Sequence, residues 1–155
     1  MRKDRLVKLL SVLCVIAVSV MAAVLFRGGR VQKFSPPPFE PAAQSGMPEE
    51  PACRELDAQV FRVGLCGEVR IREDAAQVWF SNPGDNAVWL GLRILDEEGQ
   101  ILGQTGLLRP GEYVRQVAVT GAAPGTPVIL KVMAYEPDTY HSAGSLTVHT
   151  YIAEE

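Results

Sequence analysis

The fold is decided by residues 76–95, AQVWFSNPGDNAVWLGLRIL. Apolar side chains occupy every second position on either side of the centre of this stretch. The centre itself, residues 82–86 (NPGDN), has the composition of a turn. Because successive side chains of a strand point to opposite faces, a period of two is typical of a half-buried strand. The stretch therefore predicts two β-strands that are joined by a turn and that each bury one face.

The same period continues from about residue 54 to the end of the chain, and it is clear in residues 61–71, 128–134 and 146–152. Glycine-containing turns separate the predicted strands, at residues 96–99, 109–111 and 123–125. Seven or eight short strands with such turns predict an all-β fold, an antiparallel sandwich of the immunoglobulin-like (Ig-like) type.

One predicted strand, residues 113–120, breaks its own alternation. Val114 and Val117 have opposite parity, so they would face opposite sides of a regular strand. An inserted residue corrects such a change of parity. The sequence therefore predicts a β-bulge near Arg115 and Gln116.

The N-terminal part of the chain has a different composition. Residues 9–26 are apolar apart from Ser11 and Ser19, and as a helix they would span roughly 27 Å, close to the hydrocarbon thickness of a bilayer. Basic residues in the preceding tail, residues 1–8, favour a cytoplasmic N-terminus. The sequence predicts a transmembrane signal-anchor helix with the rest of the chain extracytoplasmic. The alternative is a signal peptide cleaved near Ala22, which would release a soluble secreted domain.

Charge is distributed unevenly along the 155 residues, whose formal net charge is −3. Residues 1–33 hold seven basic side chains and one acidic one, whereas residues 34–155 hold eight basic and seventeen acidic ones. A chain of this length has room for one main domain. Because phosphate backbones require a basic face, the acidic body argues against a nucleic-acid partner.

A proline-rich linker, residues 27–53, is predicted between the membrane helix and the sandwich domain, residues 54–155. Six of the eleven prolines lie between residues 31 and 52, including three in succession at 36–38. Proline fixes φ and removes a hydrogen-bond donor, so the segment is interpreted as a semi-rigid stalk. The alternative is a proline-rich docking motif.

Two of the three cysteines, Cys53 and Cys66, lie outside the predicted membrane helix. In an exported domain they could form a disulfide, which would contribute about 3 kcal/mol by restricting the unfolded chain. Two unpaired thiols are the alternative.

Residues with catalytic or metal-binding chemistry are few. His141 and His149 are the only histidines, and with Glu136 and Asp138 they have no spacing typical of a zinc site. No nucleophile elbow and no phosphate-binding glycine loop occurs. The sequence therefore predicts no catalytic residue, no metal and no cofactor, and the protein is interpreted as not being an enzyme.

The aromatic residues offer a candidate contact surface. Trp79 and Trp89 both have the parity opposite to the buried stripe of their strands. If that face is exposed, they could contact a protein or a sugar, and Tyr135 and Tyr140 could contribute to a carbohydrate or small-ligand site. The alternative is that sheet curvature or a change of register buries at least one tryptophan.

Three segments, residues 79–83 (WFSNP), 95–99 (LDEEG) and 105–113 (TGLLRPGEY), resemble small bacterial membrane-anchored proteins with a single extracytoplasmic Ig-like β-sandwich domain. The resemblance covers roughly residues 60–152. It implies a sandwich outside the cytoplasm and provides no catalytic residue.

These observations predict a single-pass protein of the cell membrane whose extracytoplasmic domain is a non-catalytic interaction or assembly module. Its partner would be a protein of the bacterial envelope, contacted through a sheet face, loops or an edge strand such as residues 101–105. A carbohydrate or small-ligand module is the alternative function. The oligomeric state stays open at this stage.

Overall fold

The computed structural model describes residue 21, residues 34–46, residue 48 and residues 53–153. The predicted cytoplasmic tail (residues 1–8) and, apart from Met21, the predicted membrane helix (residues 9–26) lie outside these residues. Among the described residues, no helix has the length and apolar character needed to cross a bilayer. The chain divides into two compact units, residues 1–35 and 36–155, and the second is described below.

Strands dominate the second unit, and the predicted all-β class is confirmed for its described part. In chain order the strands are β1 (Gln44–Ser45), β2 (Cys53–Asp57), β3 (Arg62–Cys66), β4 (Arg70–Arg72), β5 (Ala75–Asn82), β6 (Trp89–Leu95), β7 (Ile101–Gln104), β8 (Glu112–Ala118), β9 (Pro127–Tyr135) and β10 (Ser142–Tyr151).

The strands form two antiparallel sheets. The six-stranded sheet has the order β1-β8-β5-β3-β2, with β4 also paired to β5, and the four-stranded sheet has the order β10-β9-β6-β7. The alternating apolar residues of both sheets meet in one core, which includes Val63, Phe80, Leu92 and Val132, each at most 1% exposed. The quoted stretch, residues 76–95, links the sheets, because β5 belongs to one and β6 to the other.

Asn82 holds the turn between these two strands. Its side chain is fully buried and donates hydrogen bonds of 2.9 Å to the carbonyl oxygens of Val88 and Leu108. The Asn82 side-chain oxygen accepts a hydrogen bond of 2.6 Å from Asn86. A buried polar group is stable only when it is paired, so this network ties the turn to a distant loop and keeps β5 and β6 in separate sheets.

The predicted bulge is confirmed in position, but its extra residue lies on the partner strand. The register between β5 and β8 shifts between Gln77 and Phe80, so Val78 and Trp79 of β5 lie opposite Arg115 alone. Trp79 adopts the left-handed conformation, with φ of 46°. The parity change seen in β8 is thus accommodated by β5, which keeps Val78 and Phe80 in the core.

Residues 36–46, which the proline content places in the predicted linker, belong to the sandwich unit, and we call them the strap. The Leu107 N–H donates to the Pro38 carbonyl at 2.9 Å, and the Glu40 N–H donates to the Leu107 carbonyl at 3.0 Å. The strap ends in β1, which pairs with β8. Proline removes a donor but leaves its carbonyl, so a proline-rich segment can still pair at a sheet edge. The unit therefore begins at residue 36, whereas the sequence pattern predicts a domain beginning at residue 54.

The predicted disulfide concerns β2 and β3. Cys66 is buried and disulfide-bonded. The backbone register places Cys53 directly opposite Cys66, which is the arrangement that a bond between adjacent strands needs. The pairing of these two cysteines stays a prediction, with a test given in the Discussion.

Candidate functional site

The four predicted contact aromatics do not form one patch. Trp79 lies on the six-stranded sheet, half-buried, with the Arg115 guanidinium 5.0 Å from its ring centroid. Trp89 of β6 and Tyr135 of β9 are cross-strand neighbours in the four-stranded sheet. Tyr140, in the loop after β9, places its ring 5.2 Å from that of Trp89. The structure therefore brings three of the four together and leaves Trp79 apart.

Trp89 is half-buried because the strap covers it. The Phe39 and Trp89 rings pack edge to face with centroids 4.8 Å apart, a favourable aromatic geometry. The Arg109 guanidinium lies over the Phe39 ring, 3.6 Å from its centroid. The residue that covers Trp89 thus comes from a segment distant in the sequence, whereas the half-buried Trp79 lies within the register shift between β5 and β8.

A groove of about 330 Å³ lies beside these aromatics on the outer face of the four-stranded sheet. Its lining combines prolines of the strap, residues of three strands, and the loop after β7, namely Pro37, Pro38, Gly91, Arg93, Gln104, Thr105, Gly106, Leu107, Met133 and Tyr135. Gly91 lines the groove without a side chain, and a β-carbon built there would be in contact with Leu107 Cδ2, at 3.4 Å. The volume is within the range of small-ligand pockets.

Two cations lie side by side on this face. Arg93 of β6 and Lys131 of β9 are directly paired in register, and both are half-buried. The Arg93 Nε atom is buried and has no hydrogen-bond partner. Among the described residues, neither side chain forms an ion pair. Like charges directly opposite each other on adjacent strands are destabilising, so this pair is suited to receiving an anion.

Acidic residues are absent from the strand positions that share this outer face. Those positions hold Trp89, Gly91, Arg93, Leu95, Ile101, Gln104, Pro127, Ile129, Lys131, Met133, Tyr135, Ser142, Ser145, Thr147, His149 and Tyr151. The strand positions of this face are therefore cationic, whereas the strap contributes one carboxylate, Glu40, which accepts hydrogen bonds from the N–H groups of Gly106 and Ala42.

A second hollow, about 390 Å³, lies on the six-stranded sheet and differs in its charges. Its lining includes Arg72 together with Glu73 and Asp74, so basic and acidic groups lie side by side there. Its charged lining thus has two carboxylates and one guanidinium, in contrast to the groove.

The two histidines, which the sequence analysis did not assign to a metal site, lie in the loop after β9 and on β10. His141 Nδ1 lies 3.9 Å from Glu136 Oε2, and both side chains are mostly exposed. His149 is exposed on β10. In the part of the chain that the structure describes, no three His, Cys, Asp or Glu side chains are grouped to hold a metal ion.

Sequence reasoning missed the residues that make the groove, above all Arg93 and the strap residues Pro37 and Pro38, and it missed that Lys131 is the register partner of Arg93. Their only sequence signal is the outward parity of Arg93 and Lys131 within their strands. No protein-family model, curated protein or solved structure matches the chain. The chemistry of the groove is therefore argued from the residues of this chain alone.

Proposed function

We propose that the protein is a membrane-tethered, extracytoplasmic Ig-like interaction module of a bacterial cell envelope, that it is non-catalytic, and that it binds a protein partner on the outer face of the four-stranded sheet. The observation that carries the proposal is the groove on that face, where apolar walls adjoin two cations that the described residues leave without an ion-pair partner. Mixed apolar and polar lining of this kind is typical of recognition sites.

Strand order supports the Ig-like part of the proposal. The order β10-β9-β6-β7 corresponds to strands G, F, C and C′ of an Ig-like sheet, and the adjacent strands β3, β5 and β8 correspond to A, B and E. In this comparison β1 of the strap takes the place beside β8 that strand D occupies in an Ig domain.

Hydropathy and charge of the N-terminal segment support the membrane tether. Residues 9–26 have the length and apolar content of a membrane helix, and residues 1–8 are basic. A domain that is tethered to a membrane encounters partners in the same membrane at a high effective concentration. A shallow groove of modest affinity is therefore sufficient for binding.

Location is tested with an engineered cysteine. Cys66 is buried and disulfide-bonded, so Gln116→Cys, at an exposed position of β8, provides a better target. We expect a membrane-impermeant maleimide to label this variant in intact cells and the labelled chain to sediment with membranes at full mass. Labelling only after lysis would contradict export, and a secreted fragment beginning near Ala22 would show that the leader is cleaved.

The binding face is tested by photo-crosslinking in the same cells. A photoreactive amino acid at Gln104, an exposed position in the groove, is expected to give one defined protein adduct. The same amino acid at Gln116, on the other sheet, is the matched control. Adducts of equal yield at both positions would contradict the proposed face, and a glycan in place of a protein would favour the carbohydrate-binding alternative.

A further inference from the structure

We propose that the groove binds a carboxylate-bearing segment of a protein partner, and that Arg93 and Lys131 hold the carboxylate while the apolar lining holds the neighbouring side chain. This inference rests on the proposed function, because it names the chemistry of the partner for the binding face given above.

The first observation is the state of the Arg93 guanidinium. Its Nε atom is withdrawn from solvent and donates to no acceptor among the described residues, and a buried donor without a partner is unfavourable, more so when the group is charged. The planar guanidinium can bind a carboxylate through two parallel N–H groups, one of which is Nε. A carboxylate in the groove would give the half-buried guanidinium an acceptor, and a rotation of the Arg93 side chain would be needed to bring Nε itself to the ligand.

The second observation is the pairing of Arg93 with Lys131. The two residues occupy the same register position on adjacent strands, where like charges repel. The nearest acidic residues along β6, residues 96–98, belong to the β6–β7 turn, in which Asp96 accepts a hydrogen bond of 2.7 Å from the Gln100 N–H. One bound anion would therefore relieve the repulsion and give the Arg93 guanidinium an acceptor.

The third observation is the apolar part of the lining, which favours a peptide over a small inorganic anion as the ligand. The same groove contains Pro37 and Pro38 of the strap, Met133 and Tyr135 of β9, and Leu107. A small inorganic anion would leave this apolar surface exposed to water, whereas an acidic residue beside an aliphatic one would use both parts of the lining. The volume of about 330 Å³ has room for a small number of side chains.

The experiment uses the full chain, isotopically labelled and reconstituted in lipid nanodiscs, and observes the Arg side-chain Nε–Hε signals by NMR. The probe is a capped peptide of alternating leucine and glutamate, compared with a peptide in which glutamine replaces glutamate, and with sodium phosphate. We expect the acidic peptide to shift the Arg93 signal in a saturable way, with an affinity about tenfold or more above that of the neutral peptide.

Three variants test the assignment. Arg93→Gln and Lys131→Gln are each expected to lower the affinity for the acidic peptide by about tenfold or more. Gly91→Ala is expected to lower this affinity because the added methyl group would occupy part of the groove. The matched controls are Arg70→Gln, on the exposed β4, and Gly67→Ala, where a β-carbon has nothing within 4 Å, and both are expected to bind normally. Because the wild-type titration needs no variant, a folding defect in any of them leaves the test intact.

Equal binding of the acidic and neutral peptides would overturn the inference, and so would phosphate binding that is tighter than that of the acidic peptide. The failure of this inference is distinguishable from that of the proposed function. If Gln104 gives a specific protein adduct but the chain binds no acidic peptide, the proposed function is supported and the carboxylate inference is contradicted. If the chain binds the acidic peptide but is not exported, the carboxylate inference is supported and the proposed function is contradicted.

Discussion

Gly106 and Glu40 approach each other more closely than any side chain at position 106 would allow. A β-carbon built on Gly106 would lie 2.5 Å from the Glu40 amide nitrogen and 2.7 Å from its Cα atom. The same contact contains a hydrogen bond of 2.7 Å from the Gly106 N–H to the Glu40 carboxylate. This approach brings the strap onto the sandwich and so creates one wall of the groove.

Gly106→Ala is therefore expected to displace the strap. Because the β-carbon would meet backbone, which cannot move aside cheaply, the free energy of unfolding should fall by about 1–3 kcal/mol in denaturant titration. Gly67→Ala is the control, since a β-carbon there has nothing within 4 Å, and it should change stability by less than about 0.5 kcal/mol. Equal stability of the two variants would contradict the described position of the strap.

Phe39→Ala tests the aromatic contact between the strap and β6. Removal of the ring that packs 4.8 Å from Trp89 should cost about 2 kcal/mol, less than for a fully buried phenylalanine. In a Trp79→Phe background, in which Trp89 is the only tryptophan, the fluorescence maximum should shift to longer wavelength as Trp89 becomes hydrated. Tyr151→Ala, at a side chain that is 68% exposed, should leave both measurements unchanged.

Asn82→Ala tests the buried turn network. The substitution removes the side-chain donor of the Val88 carbonyl oxygen and leaves the Leu108 carbonyl oxygen with the Leu90 N–H alone, and a buried group without a partner costs about 1–3 kcal/mol. We expect a loss of at least about 2 kcal/mol in thermal or denaturant unfolding. Gln116→Ala, at an exposed position, serves as the control, and a comparably small effect at Asn82 would show that the network does not stabilise the turn.

Substitutions at Gly64 and Ser81 are expected to have non-additive effects on the free energy of unfolding. They are register partners in β3 and β5, and a β-carbon at Gly64 would overlap the Ser81 hydroxyl oxygen but lie 3.4 Å from Ser81 Cβ. Gly64→Ala should therefore destabilise by about 1–3 kcal/mol. Ser81→Ala should be neutral or slightly stabilising, since the buried hydroxyl has no partner among the described residues.

The double variant Gly64→Ala, Ser81→Ala should recover most of the loss, because the overlapping oxygen is gone. A double-mutant cycle of denaturant midpoints measures the coupling. Strict additivity of the two single effects would be inconsistent with the described contact.

The disulfide is predicted to join Cys53 to Cys66, which lie opposite each other in β2 and β3. Reduction should add the mass of two hydrogen atoms, and peptide mapping of the oxidised protein should recover both cysteines in one linked fragment. Loss of the crosslink should lower the free energy of unfolding by about 3 kcal/mol. A linked fragment that contains Cys14 would assign the bond differently.

Local patterns predicted the strands from β3 onward and the turns at residues 82–86, 96–99, 109–111 and 123–125, but not β1 or β2. The alternation in residues 76–95 identified the buried faces of β5 and β6, and residues 96–99 were correctly predicted to close the hairpin between β6 and β7. The bulge was located because Val114 and Val117 differ in parity. The strand that carries its extra residue could not be assigned, because parity within β8 does not show which of the two paired strands contains the insertion.

The site was less predictable than the fold. Trp89 was singled out by parity and Tyr135 was named as a possible ligand contact, and the two lie together. The strap was missed, because its proline content is a property that extended linkers and docked edge segments share. Arg93 and Lys131 were not recognised as a pair, because each is an ordinary outward charge within its own strand.

The amino-acid sequence by itself determined the all-β class and the residues that enter the core, because a period of two is set by the geometry of consecutive residues. Tertiary structure alone decided that β5 and β6 lie in different sheets, that Glu40 docks on Gly106 across 66 positions, and that Arg93 meets Lys131. The physical reason is that such contacts depend on register and packing between distant segments, and these are selected only when the whole core is assembled.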